Sequence, residues 1–372
     1  MEIRIDRDAF AKALGVVQGV VERKHTMPVL ANALLSAQDD SLEIVVTDLE
    51  ICMRNRIPSI STETAGTVTV NARKLYEVVK ELPDPTVELR AMDNDWVEIR
   101  SGRSLFHIAG LPAQDFPTIP SMEEAVYRTV PEKHLRRLLS LVEYAISTDE
   151  TRYHLNGVYV ESRTTAGSDE VRFVATDGHR LSLATASTTD LGGLKLDEGV
   201  ILPRKAVAEL RKLLDGDQSV EIALGKNHAS LRKRGLSMLF QYVDGEFPEY
   251  ERVIPKGEMQ RATVKRAQFL RALQRISLVS ADRTHGAKLE LHPAELRLSA
   301  NHPDIGEAVE TLEIEYAGDD LSIGFNATYL LDVFRVLEAD EIELEIKDGL
   351  SQGAIREKNN PDFLAIVMPM RI

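Results

Sequence analysis

Cysteine is all but missing: Cys52 stands alone in 372 residues, so no internal disulfide can form. Set in "EICMRNRI", it reads as a small buried hydrophobe, not a nucleophile. Long apolar runs are missing too. A membrane span needs roughly 20 apolar residues, whereas "LGVVQGVV" and "RRLLSLVEYAI" are broken by Gly, Gln, Glu or Arg. The N-terminus "MEIRIDRDAF" is charged where a secretory signal would be apolar. These features read as a cytoplasmic chain with no membrane partner. Enzyme signatures are also lacking. No HExxH, Walker-type or paired-carboxylate motif occurs, and the nine histidines show no ligand-like spacing. Only "ATDGHRL" invites a chemical reading, because Asp177 and His179 could bind a metal or relay a proton. A metal-dependent hydrolase built on that pair is one alternative.

What the chain does contain is a repeat. At 43% hydrophobic it can bury a sizeable core in two or three domains. Three strand-like runs, "SLEIVVTDLEI", "EVRFVATDGHRL" and "ELRLSANHPDI", reach Thr47, Thr176 and Ala300 at intervals close to one third of the chain. Each is followed by a strand end that passes into helical spacing: "VNARKLYEVVKEL", "LPRKAVAELRKLL" and "FNATYLLDVFRVL". A strand-helix pair opens each third: "MEIRIDRDAFAKALGVVQGVV", "YRTVPEKHLRRLLSLVEYAI" and "RATVKRAQFLRALQRISLV". Three agreeing landmarks predict three α+β domains, each with two helices and antiparallel sheets. Their expected bounds are 1–120, 128–253 and 254–372. The linkers are "DFPTIPSMEEA" and "GEFPEYERVIPKGEMQ", both rich in proline and charge.

A net charge of −14 argues on its face against a nucleic-acid partner. Its distribution argues otherwise. The six predicted helices, 7–24, 71–80, 132–144, 204–214, 265–276 and 326–337, carry 19 Lys and Arg against 7 Asp and Glu. Helical spacing sets Val207, Leu210, Leu213 and Leu214 against Arg204, Lys205, Arg211 and Lys212. It likewise sets Phe269, Leu270, Leu273 and Ile276 against Arg271 and Arg275. A solvated face normally mixes signs. Basic helices on a common surface would attract phosphates without reading bases.

In order, "TDLE", "NARKLYEVVKELP", "SGRS", "DFP", "RYHLNG", "ATDGHRLS", "PRKAVAEL", "DGEFPEYERVIPK", "GFNATYLLDV" and the terminal "IVMPMRI" resemble the bacterial DNA polymerase III beta subunits, the sliding clamps, over essentially the whole chain. The resemblance implies the DNA-clamp fold, in which three repeated domains form half of a head-to-tail homodimeric ring around duplex DNA. The ring tethers the polymerase without catalysis, cofactor or metal. Packing arithmetic agrees with a dimer. Six helices about 10 Å wide span about 60 Å of circumference, too little to admit a duplex about 20 Å across. Twelve span about 120 Å, which leaves about 28 Å clear. A specialised clamp paralogue is the alternative within the family.

Residue by residue, the resemblance implies DNA contacts at Lys24, Arg73, Arg152, Tyr153, Lys205 and Lys212. Two departures stand out: His154 replaces a common second tyrosine, and Asp149 and Glu150 precede it. It implies a dimer contact between Arg103, Phe106 and Ile108 on one side and Leu278, Val279 and Glu307, near Asp304, on the other. It implies an apolar pocket for short peptides of the polymerase alpha subunit, the clamp loader and other clamp-binding proteins. Its residues are Leu155, Thr176, Gly178, His179, Arg180, Leu181, Pro248, Arg252, Val253, Val367, Met368, Pro369, Met370 and Arg371. Methionines suit a pocket that accepts several sequences.

Overall fold

Alternating burial along runs such as "TVELRA" and "GAKLELH" is realised as antiparallel ladders throughout the computed structural model, which describes residues 1–21, 27–120, 125–165, 167–280 and 285–371. Among the described residues six α-helices punctuate the strands: α1 (Arg7–Val17), α2 (Ala72–Lys80), α3 (Glu132–Val142), α4 (Arg204–Leu213), α5 (Arg266–Ser277) and α6 (Ala327–Val336). Each follows a strand directly, as the three landmarks require. Side chains cap the entry of three of them. Asp6 accepts from Ala9 N, Asn71 from Lys74 N, and Asn326 from Thr328 N, each satisfying an amide with no partner inside the helix.

The amphipathic split holds. Val207, Leu210, Leu213 and Leu214 are buried while Arg204, Arg211 and Lys212 are exposed. Phe269, Leu273 and Ile276 are buried opposite exposed Arg271 and Arg275. The helix read over 7–24 is shorter than expected, ending at Val17 with Gln18 as its cap. Gly15 and Gly19 flank two valines, a poor propagating sequence. Gly19 lies against the Glu209 carboxylate, whose Oε2 would stand 2.8 Å from a Cβ placed there.

The chain divides into two compact units, 1–132 with 208–242, and 133–207 with 243–372. The second repeat is therefore shared between them, and strand pairing explains why. In the first unit a thirteen-stranded sheet is continuous through the pair Ile51–Pro58 and Leu236–Gln241, joining first-repeat strands to second-repeat strands. In the second unit an eight-stranded sheet is continuous through Arg180–Ser187 and Phe363–Val367, joining second to third. A separate four-stranded sheet completes that unit. The core lies beneath these ladders. Phe10, Leu14, Leu35 and Phe240 are fully buried in the first unit, and Phe173, Phe269, Phe334 and Phe363 in the second.

Candidate functional site

The Thr-Asp landmark forms the same turn twice. Thr47 Oγ1 donates to Ile51 O and accepts from Leu49 N, while Asp48 Oδ1 accepts from Glu50 N and Ile51 N. Thr176 Oγ1 donates to Arg180 O and accepts from Gly178 N, while Asp177 Oδ1 accepts from His179 N and Arg180 N. The third residue is left-handed in both, φ 81° at Leu49 and 89° at Gly178. Only the second copy places glycine where that backbone favours it. A Cβ at Gly178 would also meet Arg152 Nη1 at 2.9 Å. Asp177 is thus a turn residue: Oδ1 is taken by the amides and Oδ2 pairs with Arg180 Nε at 3.0 Å. The His179 ring stacks on Tyr329. The third copy departs from the expectation, because Asn301 lies within the strand Glu295–His302, opposite Glu307.

Several of the pocket residues converge around this turn. Leu155 and Leu181 join Val174, Leu183, Phe247, Tyr250, Leu364 and Ile366 in one apolar cluster, to which Tyr159 stacks on Phe247 at 4.8 Å. Thr176 and Val367 are buried, and Arg180 faces Val367 across the strand pair. The tail continues from there. Met368 N donates to His179 O, and Met370 N to Gly324 O, both at 2.9 Å. Gly178, His179, Pro248, Arg252, Val253, Met368 and Arg371 are exposed, with Pro369 and Met370 half-buried. Arg252 pairs with Glu249, and Val253 O accepts from Gln352 Nε2. The segment read as a linker thus buries Phe247 and Tyr250, residues that sequence reasoning quoted within a motif but did not select.

A cavity of about 460 Å³ opens beside the turn, lined by Tyr144, Asp149, Arg152, His179, Arg180 and Tyr329 among others. A second, of about 660 Å³, is lined by Gly324, Leu350, Pro369, Met370 and Arg371 among others.

The proposed basic contacts have varied surroundings. Lys24 falls outside the described residues. Arg73 is half-buried and spends Nη2 on Val21 O at 2.8 Å. Arg152 bridges Asp149 Oδ2 and Asp177 O, both at 3.0 Å. The Asp149 carboxyl is held below its ordinary range by hydrogen bonds from Thr151 and Arg152. Tyr153 is exposed, its ring edge-on to His154. Lys205 is half-buried on α4. Lys212 is exposed beside buried Glu209, to which it donates at 2.6 Å.

Several short strands of four to six residues end the sheets, and the two longest open edges among the described residues belong to eight-residue strands. Gly306–Glu313 pairs only with Glu295–His302. Ser104–Leu111 pairs along its length with Trp96–Ser101, but on its other side only at Gly110 and Leu111. Arg103 lies in the exposed turn before the second edge, on which Phe106 is exposed and Ile108 half-buried. Leu278, just past α5, is 79% exposed, and Val279 is half-buried. Exposed Glu307 and Asp304 are on or beside the first edge. Glu310, on that edge, is taken by Arg275 of α5, with Nη2 to Oε2 at 2.7 Å.

Comparison with known proteins places this architecture. Family models described as the N-terminal, central and C-terminal domains of the DNA polymerase III beta subunit match residues 1–120, 129–249 and 251–371. The beta sliding clamp of Pseudomonas putida is 36% identical, over the full length of both chains. A crystal structure of the Caulobacter crescentus beta sliding clamp superposes with a TM-score of 0.95 at 36% identity, covering 100% of this chain and 99% of that one. The sliding clamp of Pseudomonas aeruginosa, solved bound to griselimycin, superposes at 0.92 with 35% identity and full coverage of both chains. The chain belongs to the DNA polymerase III beta subunit family, the bacterial sliding clamps of DNA replication, and has their three-domain clamp fold.

Proposed function

From that membership we propose that two copies of this chain close head to tail into a ring around duplex DNA, and that the ring tethers the replicative polymerase and other clamp-binding proteins without chemistry of its own. The observation that carries this is the pair of open strand edges. Within the chain, one repeat passes into the next by strand-to-strand continuation at Met53 and Met238, and again at Leu183 and Leu364. Ser104–Leu111 and Gly306–Glu313, the two longest open edges, are proposed to make the same join between chains. Different surfaces meeting in this way form a heterologous contact that closes when the rotation per subunit is right. The apolar Phe106 and Leu278 supply its anchors, and basic Arg103 meets acidic Glu307.

Lys24, Arg73, Arg152, Tyr153, Lys205 and Lys212 are proposed to face the duplex. Such contacts are phosphate-directed and exchangeable, because a ring that read bases could not slide. Held topologically, a polymerase keeps a high effective concentration at the primer end. The cluster around Leu155, Leu181 and Val367, with the Met368–Arg371 tail beside it, is proposed to receive short peptides with apolar anchors. Griselimycin, to which the Pseudomonas aeruginosa clamp is bound in its crystal structure, is proposed as a second ligand to test. The domain bounds 1–120, 128–253 and 254–372 are proposed as the repeat units.

The test loads the protein onto nicked circular DNA and follows retention at moderate salt. Retention on the circle with escape after linearisation is expected, and equal retention on both would refute topological binding.

A further inference from the structure

Arg180 closes the Thr176–Arg180 turn, and each of its three side-chain nitrogens already has a partner. Nε donates to Asp177 Oδ2 at 3.0 Å, Nη2 to the carbonyl of Tyr144 at 2.6 Å, and Nη1 to Asp332 Oδ2 at 2.7 Å. The Tyr329 ring stands 4.6 Å from its Cζ and the Tyr144 ring 5.3 Å. Only 11% of the side chain is exposed. A guanidinium committed in this way is a bracket before it is a ligand contact.

Asp332 is the member of the bracket that comes from elsewhere in the chain. It sits on α6, and besides Arg180 its carboxylate accepts, among the described residues, a longer bond of 3.2 Å from Arg335 Nη1. What it holds in place is the turn, and the turn in its turn carries the tail through Met368 N and His179 O.

We infer that Asp332 is a positioning residue for the peptide pocket: by holding Arg180 it fixes the Thr176–Arg180 turn, and through His179 the Met368 segment, without touching the peptide. The inference rests on the pocket reading above. Removing the Asp332 charge leaves the largely buried Arg180 with Asp177 alone to balance it, and Nη1 without its charged acceptor. Arg180 can recover solvation only by moving, and the turn must move with it. Tyr329 then loses the cation over its ring, and the wall that an apolar anchor meets is no longer preorganised.

The experiment measures binding of a fluorescein-labelled short peptide with leucine and phenylalanine anchors by polarisation. Asp332→Asn keeps the shape and removes the charge. Its affinity is expected to fall roughly tenfold, mainly through faster dissociation. Asp332→Glu keeps the charge and is expected to stay within about threefold of the parent. Arg335→Met removes the other partner of Asp332 and is expected to change affinity by less than about twofold. Arg180→Lys keeps the charge but loses the fork, and combined with Asp332→Asn it should bind no worse than the poorer single variant. A purely structural role would lower the melting temperature and leave the affinity of the folded protein unchanged. Parent-like affinity in Asp332→Asn, or equal losses in Asp332→Asn and Asp332→Glu, would overturn the inference. Failure of the parent itself to bind would instead sink the pocket reading, and this inference with it.

Discussion

Met53 and Met238 face each other across the strands Ile51–Pro58 and Leu236–Gln241, neither with any solvent exposure. They belong to different repeats, so the core at this point has no seam. Leu183 and Leu364 make the equivalent pairing between the second and third repeats. Truncating a methionine there leaves a cavity whose walls belong to two repeats. Met238→Ala is expected to cost about 2–5 kcal/mol, read as a lower urea midpoint with unchanged slope. Arg234→Ala, on the exposed turn of the same hairpin, should change stability by less than about 0.5 kcal/mol. Equal midpoints for the two variants would show that the join carries no weight.

The exposed Leu278 and Phe106 make a separate prediction. Exposed large hydrophobes are unremarkable singly, but these two lie at the two surfaces proposed to meet. Placing a charge at the centre of an interface typically costs 2 kcal/mol or more, about thirtyfold in a dissociation constant. Leu278→Asp should therefore sediment as a monomer at concentrations where the parent is a dimer, while its thermal stability changes little. A dimer of undiminished strength would remove Leu278 from the interface.

Acid stability should depend on Glu341. Hydrogen bonds from Lys265 and then Lys358 push its carboxyl down to about 2. A carboxyl whose folded value lies below its unfolded value, about 4.3, stabilises the fold above that unfolded value. The contribution disappears as pH falls toward the folded one. The stability gap between the parent and Glu341→Gln should therefore be widest above about pH 5 and close progressively toward pH 2. Chemical denaturation at a series of pH values measures it, and a gap independent of pH would contradict the assignment.

The helices, their charged faces and the Thr-Asp turns were legible because each is written locally: period 3.6, a capping Asp or Asn, a threonine and an aspartate at fixed spacing. α1 was read too long because valines and glycines kept an apolar pattern after the propensity for helix had run out at Val17. Non-local facts left no such trace. That Arg180 is spent on Asp332 and Tyr144, or Arg73 on Val21, depends on side chains brought together by the fold. The pairing of strands from neighbouring repeats is equally hidden, since alternation announces a strand but not its neighbour. Phe247 and Tyr250 sit in a proline-rich stretch whose composition suggests a linker, and their burial shows that a boundary segment can also pack into an apolar core cluster.

The tail separates the pocket from the rest of the fold. The strand Phe363–Val367 is wholly buried and paired on both sides, to Arg180–Ser187 and to Gly353–Glu357. Beyond it, Met368 and Met370 each contribute one backbone hydrogen bond, and no residue from 368 to 371 is buried. Deleting residues 368–372 therefore removes two bonds worth about 1 kcal/mol each and leaves the strand in place. Neither open edge, Ser104–Leu111 nor Gly306–Glu313, is touched, so the proposed dimer should persist in sedimentation. Affinity for the labelled peptide should nonetheless fall by about a hundredfold or more, because the flexible methionines are lost from the wall proposed to meet the anchors. If the truncated protein bound the peptide as the parent does, the tail would have no part in the proposed pocket.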